Sequence, residues 1–185
     1  METPPLDRQA AIHALLSAIV DLPAENMTLP RQAFLVQPGL PSLSVYYVLE
    51  GAMRVFWLSE EGEEHTIRFA YPPDVFGDIF SFFDGQPAIY HIQALRKTEL
   101  RAIRRKDFWM CIESDPQLRY GYQCFLEELI KGQLEREMDL LTRSPALRYA
   151  RVLTRNPEVF RQIPHKYIAA YLRMSPETLS RLQKM

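Results

Sequence analysis

The sequence has 185 residues, of which 47% are hydrophobic, with a formal net charge of −1 and only two cysteines. This length can bury one good core and a small second one. No apolar run approaches the about 20 residues of a membrane span. Cys111 and Cys124 are too few and too far apart for a zinc or iron–sulfur site. We therefore expect no cofactor. The N-terminus lacks the basic start and apolar core of a signal peptide, so we expect a cytoplasmic protein.

The first part of the chain changes from a helical period to a strand period. Leu6 to Val20 reads as an amphipathic helix, after which Pro23 and Pro30 interrupt the pattern. From Ala33 onwards, apolar residues alternate with polar ones and turn signals recur at short intervals. The predicted strands are Ala33–Val36, Val45–Leu49, Ala52–Leu58, His65–Phe69, Ile89–Ala94 and Glu99–Ile103. Many short strands of this kind predict an antiparallel barrel or jelly roll of about a hundred residues.

After Lys106 the helical period returns. We predict a short helix over Lys106–Glu113 and a long one over Pro116–Thr142, which is roughly 40 Å in length. The apolar side of the long helix is broader than packing on one barrel requires. It fits a core helix, but we favour a helix that also packs on its twin across a two-fold axis, forming a homodimer. The predicted interface residues are Tyr122, Phe125, Leu126, Leu129, Ile130, Leu134 and Met138.

A change of module is predicted at Arg143–Ser144. Ser144-Pro145 starts a further helix, which Asn156-Pro157 ends. We therefore divide the chain into residues 1–142, a sensor domain with its dimerisation helix at about 116–142, and residues 143–185.

The last residues predict two short helices joined by a tight turn. The first runs from about His165 to Leu172, and the second begins at Ser175, where serine, proline and an acid are good helix-start residues. A three-residue joint between such helices indicates a helix-turn-helix, whose second helix enters the DNA major groove. An ordinary αα-hairpin is the alternative on this pattern alone.

Charge favours DNA binding over that alternative. From Arg143 to Met185 there are nine arginine and lysine residues and two acids, a net charge of +7, whereas residues 1–142 carry −8. A basic terminal segment on an acidic body is typical of a phosphate-binding module. A basic membrane-surface helix is less consistent with the sequence, because the apolar faces are short and lack tryptophan or phenylalanine anchors. We expect DNA as a partner and no membrane.

The order of barrel, long helix and helix-turn-helix resembles the Crp/Fnr family of bacterial transcription regulators over nearly the whole chain. The most specific segments are Tyr46–Trp57 (YYVLEGAMRVFW), Pro72–Phe82 (PPDVFGDIFSF) and Tyr167–Gln183. The resemblance implies an α+β fold with a cyclic-nucleotide-binding β-roll, a long dimerisation helix and a winged helix-turn-helix, although the sequence ends at Met185 before any wing. It also implies a non-enzymatic homodimer that binds DNA, with an unidentified small-molecule effector and RNA polymerase left open as further partners.

The resemblance weakens at the ligand pocket. Relatives that bind cyclic nucleotides have a Gly-Glu pair, where this chain has Gly77-Asp78, and an Arg-Ser or Arg-Thr pair, where it has Ala88-Ile89. Neither Ala88 nor Ile89 can bind a phosphate through two charged N–H donors, as an arginine guanidinium does. Arg68 is either a substitute for the missing arginine or a solvated strand residue, and Asp78 either binds a ligand or caps a helix-like turn. We therefore do not expect cyclic AMP to bind in the usual way.

The DNA-reading end matches the family better. The resemblance places Glu177 and Arg181 where relatives contact bases, and their spacing of four residues puts both on one helix face. An acid can accept from a cytosine amino group, and an arginine can bind guanine through two hydrogen bonds. Arg173 stands where the turn usually has glycine, so a positive φ there costs on the order of 1 kcal/mol. The predicted DNA-binding residues are Arg173, Ser175, Glu177, Thr178, Ser180, Arg181 and Lys184.

Two other functions remain as alternatives. A degenerate sensor or scaffold would keep the fold without sequence-specific DNA binding. A cupin-like metal enzyme would need converging histidine and carboxylate ligands, but the four histidines fall in separate predicted elements, with only His65 and His91 on strands.

Overall fold

The computed structural model describes residues 7–184, and its central feature is a β-roll of two four-stranded antiparallel sheets. The strands are β1 Glu25–Leu29, β2 Phe34–Val36, β3 Ser44–Glu50, β4 Met53–Leu58, β5 Glu64–Ala70, β6 Val75–Phe76, β7 His91–Ala94 and β8 Thr98–Arg104. The strand orders are β1-β8-β3-β6 and β2-β7-β4-β5. All strand pairs are antiparallel. The predicted fold class is therefore confirmed.

Alternation along each strand directs apolar residues into the space between the sheets. Val48, Met53, Ile92 and Leu100 are fully buried there and belong to one cluster that also contains Ala88. A hairpin loop joins β4 to β5, where Ser59 N–H donates to the Glu63 carbonyl. The interior of the roll is thus an apolar core.

Two strands were not predicted from the sequence. β1 is an edge strand between Pro23 and Pro30 that pairs only with β8 in the sheet order. Only Met27 and Leu29 pack towards the core from it, so its alternation is too weak to identify. β6 has two residues, which is too short for any period.

Eight helices surround the roll within residues 7–184. They are α1 Arg8–Val20, α2 Ile79–Asp84, α3 Arg105–Ser114, α4 Pro116–Leu141, α5 Pro145–Arg155, α6 Val159–Gln162, α7 His165–Tyr171 and α8 Pro176–Leu182. Leu6, the predicted start of the first helix, lies outside the described residues. The predicted helices are confirmed with small shifts at their ends, whereas α2 and α6 were missed because six and four residues carry too little periodicity.

The first half of α4 packs against α1 at very close range. A Cβ on Gly121 would lie 2.3 Å from the backbone oxygen of Ala11, so only glycine permits this approach. Tyr122 and Phe125 pack on the same side, in a cluster with α1, α3 and the roll.

Ion pairs join the second half of α4 to α5. The Asp139 carboxylate is fully buried and accepts hydrogen bonds from Arg151 Nε at 2.8 Å and from the Arg155 guanidinium. Glu135, one turn earlier on α4, pairs with the same two arginines, at 2.6 and 3.2 Å. These contacts fix the angle between the two helices, which are separated only by residues 142–144. The domain boundary proposed at Arg143 falls within this connection and stays a prediction.

The C-terminal helices share a core with the outer side of the roll. Val152, Ile163, Ile168 and Leu172 cluster with residues of the roll, which are Ala52, Phe69 and Leu95. Phe69 on β5 lies 5.3 Å from the ring of Tyr171 on α7. The helix-turn-helix is therefore packed against the sheet β2-β7-β4-β5.

Candidate nucleic-acid interface and sensor pocket

Helices α7 and α8 form the predicted helix-turn-helix. Ile168, Ala169 and Leu172 are buried from α7 and the following turn, and Leu179 is buried from α8. The small Ala169 lies where the chain folds back, and its carbonyl accepts from Met174 N–H at 3.0 Å. These contacts leave one face of α8 directed to solvent.

The turn contains the strained residue expected from the sequence. Arg173 has a φ of 50°, in the left-handed region that disfavours side chains other than glycine. Its carbonyl accepts from Arg148 Nη2 at 2.9 Å, and the Leu172 carbonyl accepts from Arg148 Nε at 2.8 Å. The predicted positive φ is therefore confirmed, and a buried arginine of α5 holds the turn in place.

Helix α8 begins as the sequence predicts. The Ser175 hydroxyl accepts from Thr178 N–H at 3.2 Å, and Pro176 occupies the first turn. A hydrogen bond from Ser175 lowers the pKa of the Glu177 carboxyl, which is fully exposed. Glu177 is consequently an anion at the N-terminal end of α8.

Most of the residues predicted to bind DNA lie on the solvent side of the motif. Five of them are exposed, namely Arg173, Ser175, Glu177, Arg181 and Lys184, while Thr178 and Ser180 are half-buried. The Arg181 guanidinium lies 3.5 Å from Thr178 Oγ1 and forms no ion pair with Glu177 in the described structure. Glu177 and Arg181 are therefore both available to a ligand.

The predicted pocket residues do not form one polar site. Asp78 is 1% exposed, and its Oδ1 caps α2 by accepting from Ser81 N–H at 2.8 Å, which is the capping role considered from the sequence. Its Oδ2 is buried without a hydrogen-bond partner. A Cβ on Gly77 would lie 3.1 Å from the Ser44 carbonyl, so the backbone is tightly packed there.

The remaining pocket residues differ from one another in their surroundings. Ala88 is buried in the apolar core, and Ile89 is 47% exposed. Arg68 is an electrostatic neighbour of Asp74 and Tyr171, near the C-terminal helices. Arg68 thus interacts with Asp74 and Tyr171, whereas Asp78 caps α2, and no ion pair joins Arg68 to Asp78 within residues 7–184.

A cavity of about 520 Å³ opens beside Ile89. It is lined by Gln37, Pro38, Trp57, Leu58, Ile89 and His91. Trp57 is stacked on His65 across the β4–β5 pair, with ring centroids 5.6 Å apart. Apart from Ile89, these residues were not predicted from the sequence to form a site. No sequence signal identifies them, because the exposure of Trp57 is visible only in the structure.

The predicted dimer residues on α4 separate into two groups. Ile130, Leu134 and Met138 are 61%, 55% and 45% exposed. Leu126 and Leu129 are half-buried. Tyr122 and Phe125 face the protein's own core instead. An apolar stripe is thus exposed on the C-terminal half of α4.

Residues 7–184 contain no helix long and apolar enough to cross a membrane. Within the same range, no group of three or more histidine, cysteine or acidic residues is placed so that it could hold a metal ion.

Comparison with known proteins gives consistent matches. Residues 26–115 match the cyclic nucleotide-binding domain family. The chain is 28% identical over 144 residues to the cyclic AMP receptor protein of Thermus thermophilus, spanning 75% of this chain and 66% of that protein. It is 24% identical over 166 residues to the cAMP-activated global transcriptional regulator CRP of Pasteurella multocida, spanning 84% and 79%. Among solved structures, FixK2 from Bradyrhizobium japonicum has a TM-score of 0.70 at 22% identity, covering 88% of this chain and 84% of that one.

A β-roll followed by a long helix and a helix-turn-helix defines the class, in which a sensor-type domain is joined to a motif typical of DNA-binding proteins. The matches confirm the resemblance predicted from the sequence. Residues 26–115 match the cyclic nucleotide-binding domain family, and most of the chain is similar to transcriptional regulators of the Crp/Fnr type.

Proposed function

We propose that this protein is a homodimeric transcription regulator that reads DNA with α8. The observation that carries the proposal is the exposed pair Glu177 and Arg181 on a capped helix, within a segment of net charge +7. Because the two side chains are four residues apart, they can reach neighbouring base edges in one groove. The protein would act in the cytoplasm, with no catalytic step.

The assignment of base and phosphate contacts is tested by two alanine variants. Arg181→Ala removes a guanidinium that can bind guanine bidentately, which typically loses about 1–3 kcal/mol of discrimination. We expect it to weaken the preferred site much more than random DNA. Lys184→Ala should weaken both about equally and lower the salt slope by about one unit, as loss of one phosphate contact does.

The measurement is the affinity of each variant for a selected site and for random DNA at two salt concentrations. The site is first obtained by selection from a randomised duplex library with the full-length protein. If Arg181→Ala left the ratio of the two affinities unchanged, Arg181 would not read a base. If selection yielded no preferred sequence, the alternative of a sensor or scaffold without specific DNA binding would replace the proposal.

We also propose that cyclic AMP is not the effector in the usual way. The support is that Ala88 is buried in the apolar core and Ile89 is aliphatic, while Asp78 is engaged in capping α2. Calorimetric titration of the full chain with cyclic AMP should therefore show no binding at micromolar concentrations. Micromolar affinity would overturn the proposal and direct attention to Arg68 or to backbone N–H groups near Gly77.

A further inference from the structure

An unusual buried cation lies on the outer side of the sheet that faces the helix-turn-helix. Arg54 on β4 is only 4% exposed. Its Nε and Nη2 donate to Gln93 Oε1 at 3.0 and 2.7 Å, and its Nη1 donates to Glu64 Oε2 at 2.6 Å. A buried charge is costly unless it is paired and hydrogen-bonded. The strands β4, β5 and β7 together satisfy this guanidinium.

The same guanidinium contacts the first helix of the helix-turn-helix. Arg54 Cζ lies 4.0 Å from the ring centroid of Phe56 and 4.7 Å from that of Tyr167 on α7. Cations over aromatic rings are attracted more strongly where the contact is shielded from water. Tyr167 is 7% exposed, so its ring is held against the roll in a shielded contact.

A strained residue completes the contact around Tyr167. Gln32 has a φ of 71°, a conformation that a side chain other than glycine rarely adopts. Its N–H donates to the Ala94 carbonyl at 2.8 Å, and its carbonyl accepts from Gln93 Nε2 at 2.9 Å. Held in this way, Gln32 Nε2 donates to the Tyr167 hydroxyl at 3.1 Å. Such strain persists where the surrounding contacts over-determine the backbone.

An exposed cation of α7 lies beside the docked ring. Lys166 Nζ lies 4.6 Å from the ring centroid of Tyr167. In a helix-turn-helix bound to DNA, the first helix crosses the phosphate backbone. Arg96 adds a second attachment by donating to the carbonyl and side-chain oxygens of Gln162, both at 2.7 Å. The roll therefore restrains the helix that DNA binding requires near phosphates.

We infer that Arg54, Gln32, Gln93 and Tyr167 form an interdomain latch that holds the helix-turn-helix against the β-roll and lowers its affinity for DNA. The DNA-affinity part of this inference rests on the function proposed above. Val55 and Ile92, which alternate with the latch residues on β4 and β7, point into the core of the roll. The interior of the roll is therefore separated from the latch residues by the thickness of one sheet.

The latch is tested in the full chain with Arg54→Met and Tyr167→Phe. Arg54→Met removes the cation between the two rings, and Tyr167→Phe removes only the hydroxyl that Gln32 binds. Arg104→Met is the control, because it also deletes one positive charge but from an exposed side chain of β8. Spin labels at Asn26→Cys on β1 and Thr154→Cys on α5 report the separation of the roll from the C-terminal helices, with Cys111 and Cys124 replaced. A tenfold excess of unlabelled chain removes signals between subunits.

We expect Arg54→Met to broaden the distribution of distances between the two spin labels. The same variant should bind a 30-bp mixed-sequence duplex about tenfold more tightly, although it has lost a positive charge. Tyr167→Phe should change both readouts in the same direction but less, and Arg104→Met should leave the distances unchanged. An unchanged distribution in both folded latch variants would refute the latch. A broadened distribution with equal or weaker DNA binding would refute its inhibitory role. If no variant bound any duplex, the proposed function would fail, and the distances would still decide whether the latch exists.

Discussion

Arg148 connects the two ends of the C-terminal module with a single side chain. It is buried, and it donates to the carbonyls of Thr142 and Arg143 at the hinge and to those of Leu172 and Arg173 in the turn. Arginine suits this position because its planar guanidinium presents five donors in fixed directions. The connection between α4 and α5 and the turn of the helix-turn-helix are consequently positioned relative to each other by one group.

The strain at Arg173 leads to a prediction at the same scale. Replacing Arg173 with glycine should stabilise the protein by about 1 kcal/mol relative to Arg173→Ala, since glycine adopts a positive φ without penalty. Both variants lose the same charge, so the difference between them isolates the backbone conformation. Urea unfolding of the two variants measures it.

An Arg173→Gly protein no more stable than Arg173→Ala would mean that the turn relaxes when the arginine is removed. DNA affinity should fall by a similar factor in both variants, because each lacks the same cation.

Residue roles that depend on local sequence could be predicted, and those that depend on distant packing could not. The caps at Ser175 and Asp78 act on residues three positions away, so sequence spacing indicates them. Arg136 instead lies 3.6 Å over the ring of Tyr171, which is 35 positions further along the chain. No local pattern indicates such a pairing.

At the scale of elements, α4 is one continuous helix whose two halves pack against different partners. Its first half packs on α1 and α3, while its second half carries acids that pair with α5 and an exposed apolar stripe. The broad apolar side predicted from the sequence therefore contributes partly to the core of the protein and partly to its exposed surface. Periodicity could predict the helix but not the point at which its partner changes.

The two glycines of α4 should respond to substitution with opposite signs. Gly121→Ala places a Cβ 2.3 Å from the Ala11 oxygen, so α1 must move, and we expect destabilisation of about 1–3 kcal/mol. At Gly132 no atom lies within 4 Å of the added Cβ. Gly132→Ala should therefore stabilise by about 0.5–1 kcal/mol through helix propensity.

Thermal or urea unfolding of these two variants and the wild type provides the measurement. Gly132→Ala is the matched control for Gly121→Ala, because both make the same chemical change in the same helix. Equal effects at the two sites would show that α1 does not pack on α4 at the distance seen here.

At the scale of the whole molecule, the order of modules was visible in the sequence but their mutual packing was not. The changes of period at Ala33 and Lys106 mark the roll, and the basic segment after Arg143 marks the C-terminal helices. The contact of Arg54 with Tyr167 joins residues more than a hundred positions apart, each of which fits an ordinary surface or core role by itself. The candidate DNA-reading face was predictable because it lies within one short motif.

The exposed stripe on α4 predicts how two copies assemble. Ile130, Leu134 and Met138 recur every four residues, so they lie along one side of the helix and can pack on the same residues of a second chain. Full burial of one leucine contributes about 1.5–3 kcal/mol. Leu134→Asp removes that contribution from both copies, so we expect the dimer to weaken by roughly 3–6 kcal/mol, or about two to four orders of magnitude.

Sedimentation velocity at micromolar concentration measures this change directly. Leu134→Asp should sediment as a monomer with an unchanged far-ultraviolet circular dichroism spectrum. Gln133→Asp is the matched control, because it places the same carboxylate on an exposed position of α4 beside the stripe, and it should remain dimeric. A dimeric Leu134→Asp protein would exclude this stripe as the centre of the interface. Because a helix-turn-helix dimer reads two half-sites, the monomer should also lose its preference for a paired site while retaining affinity for random DNA.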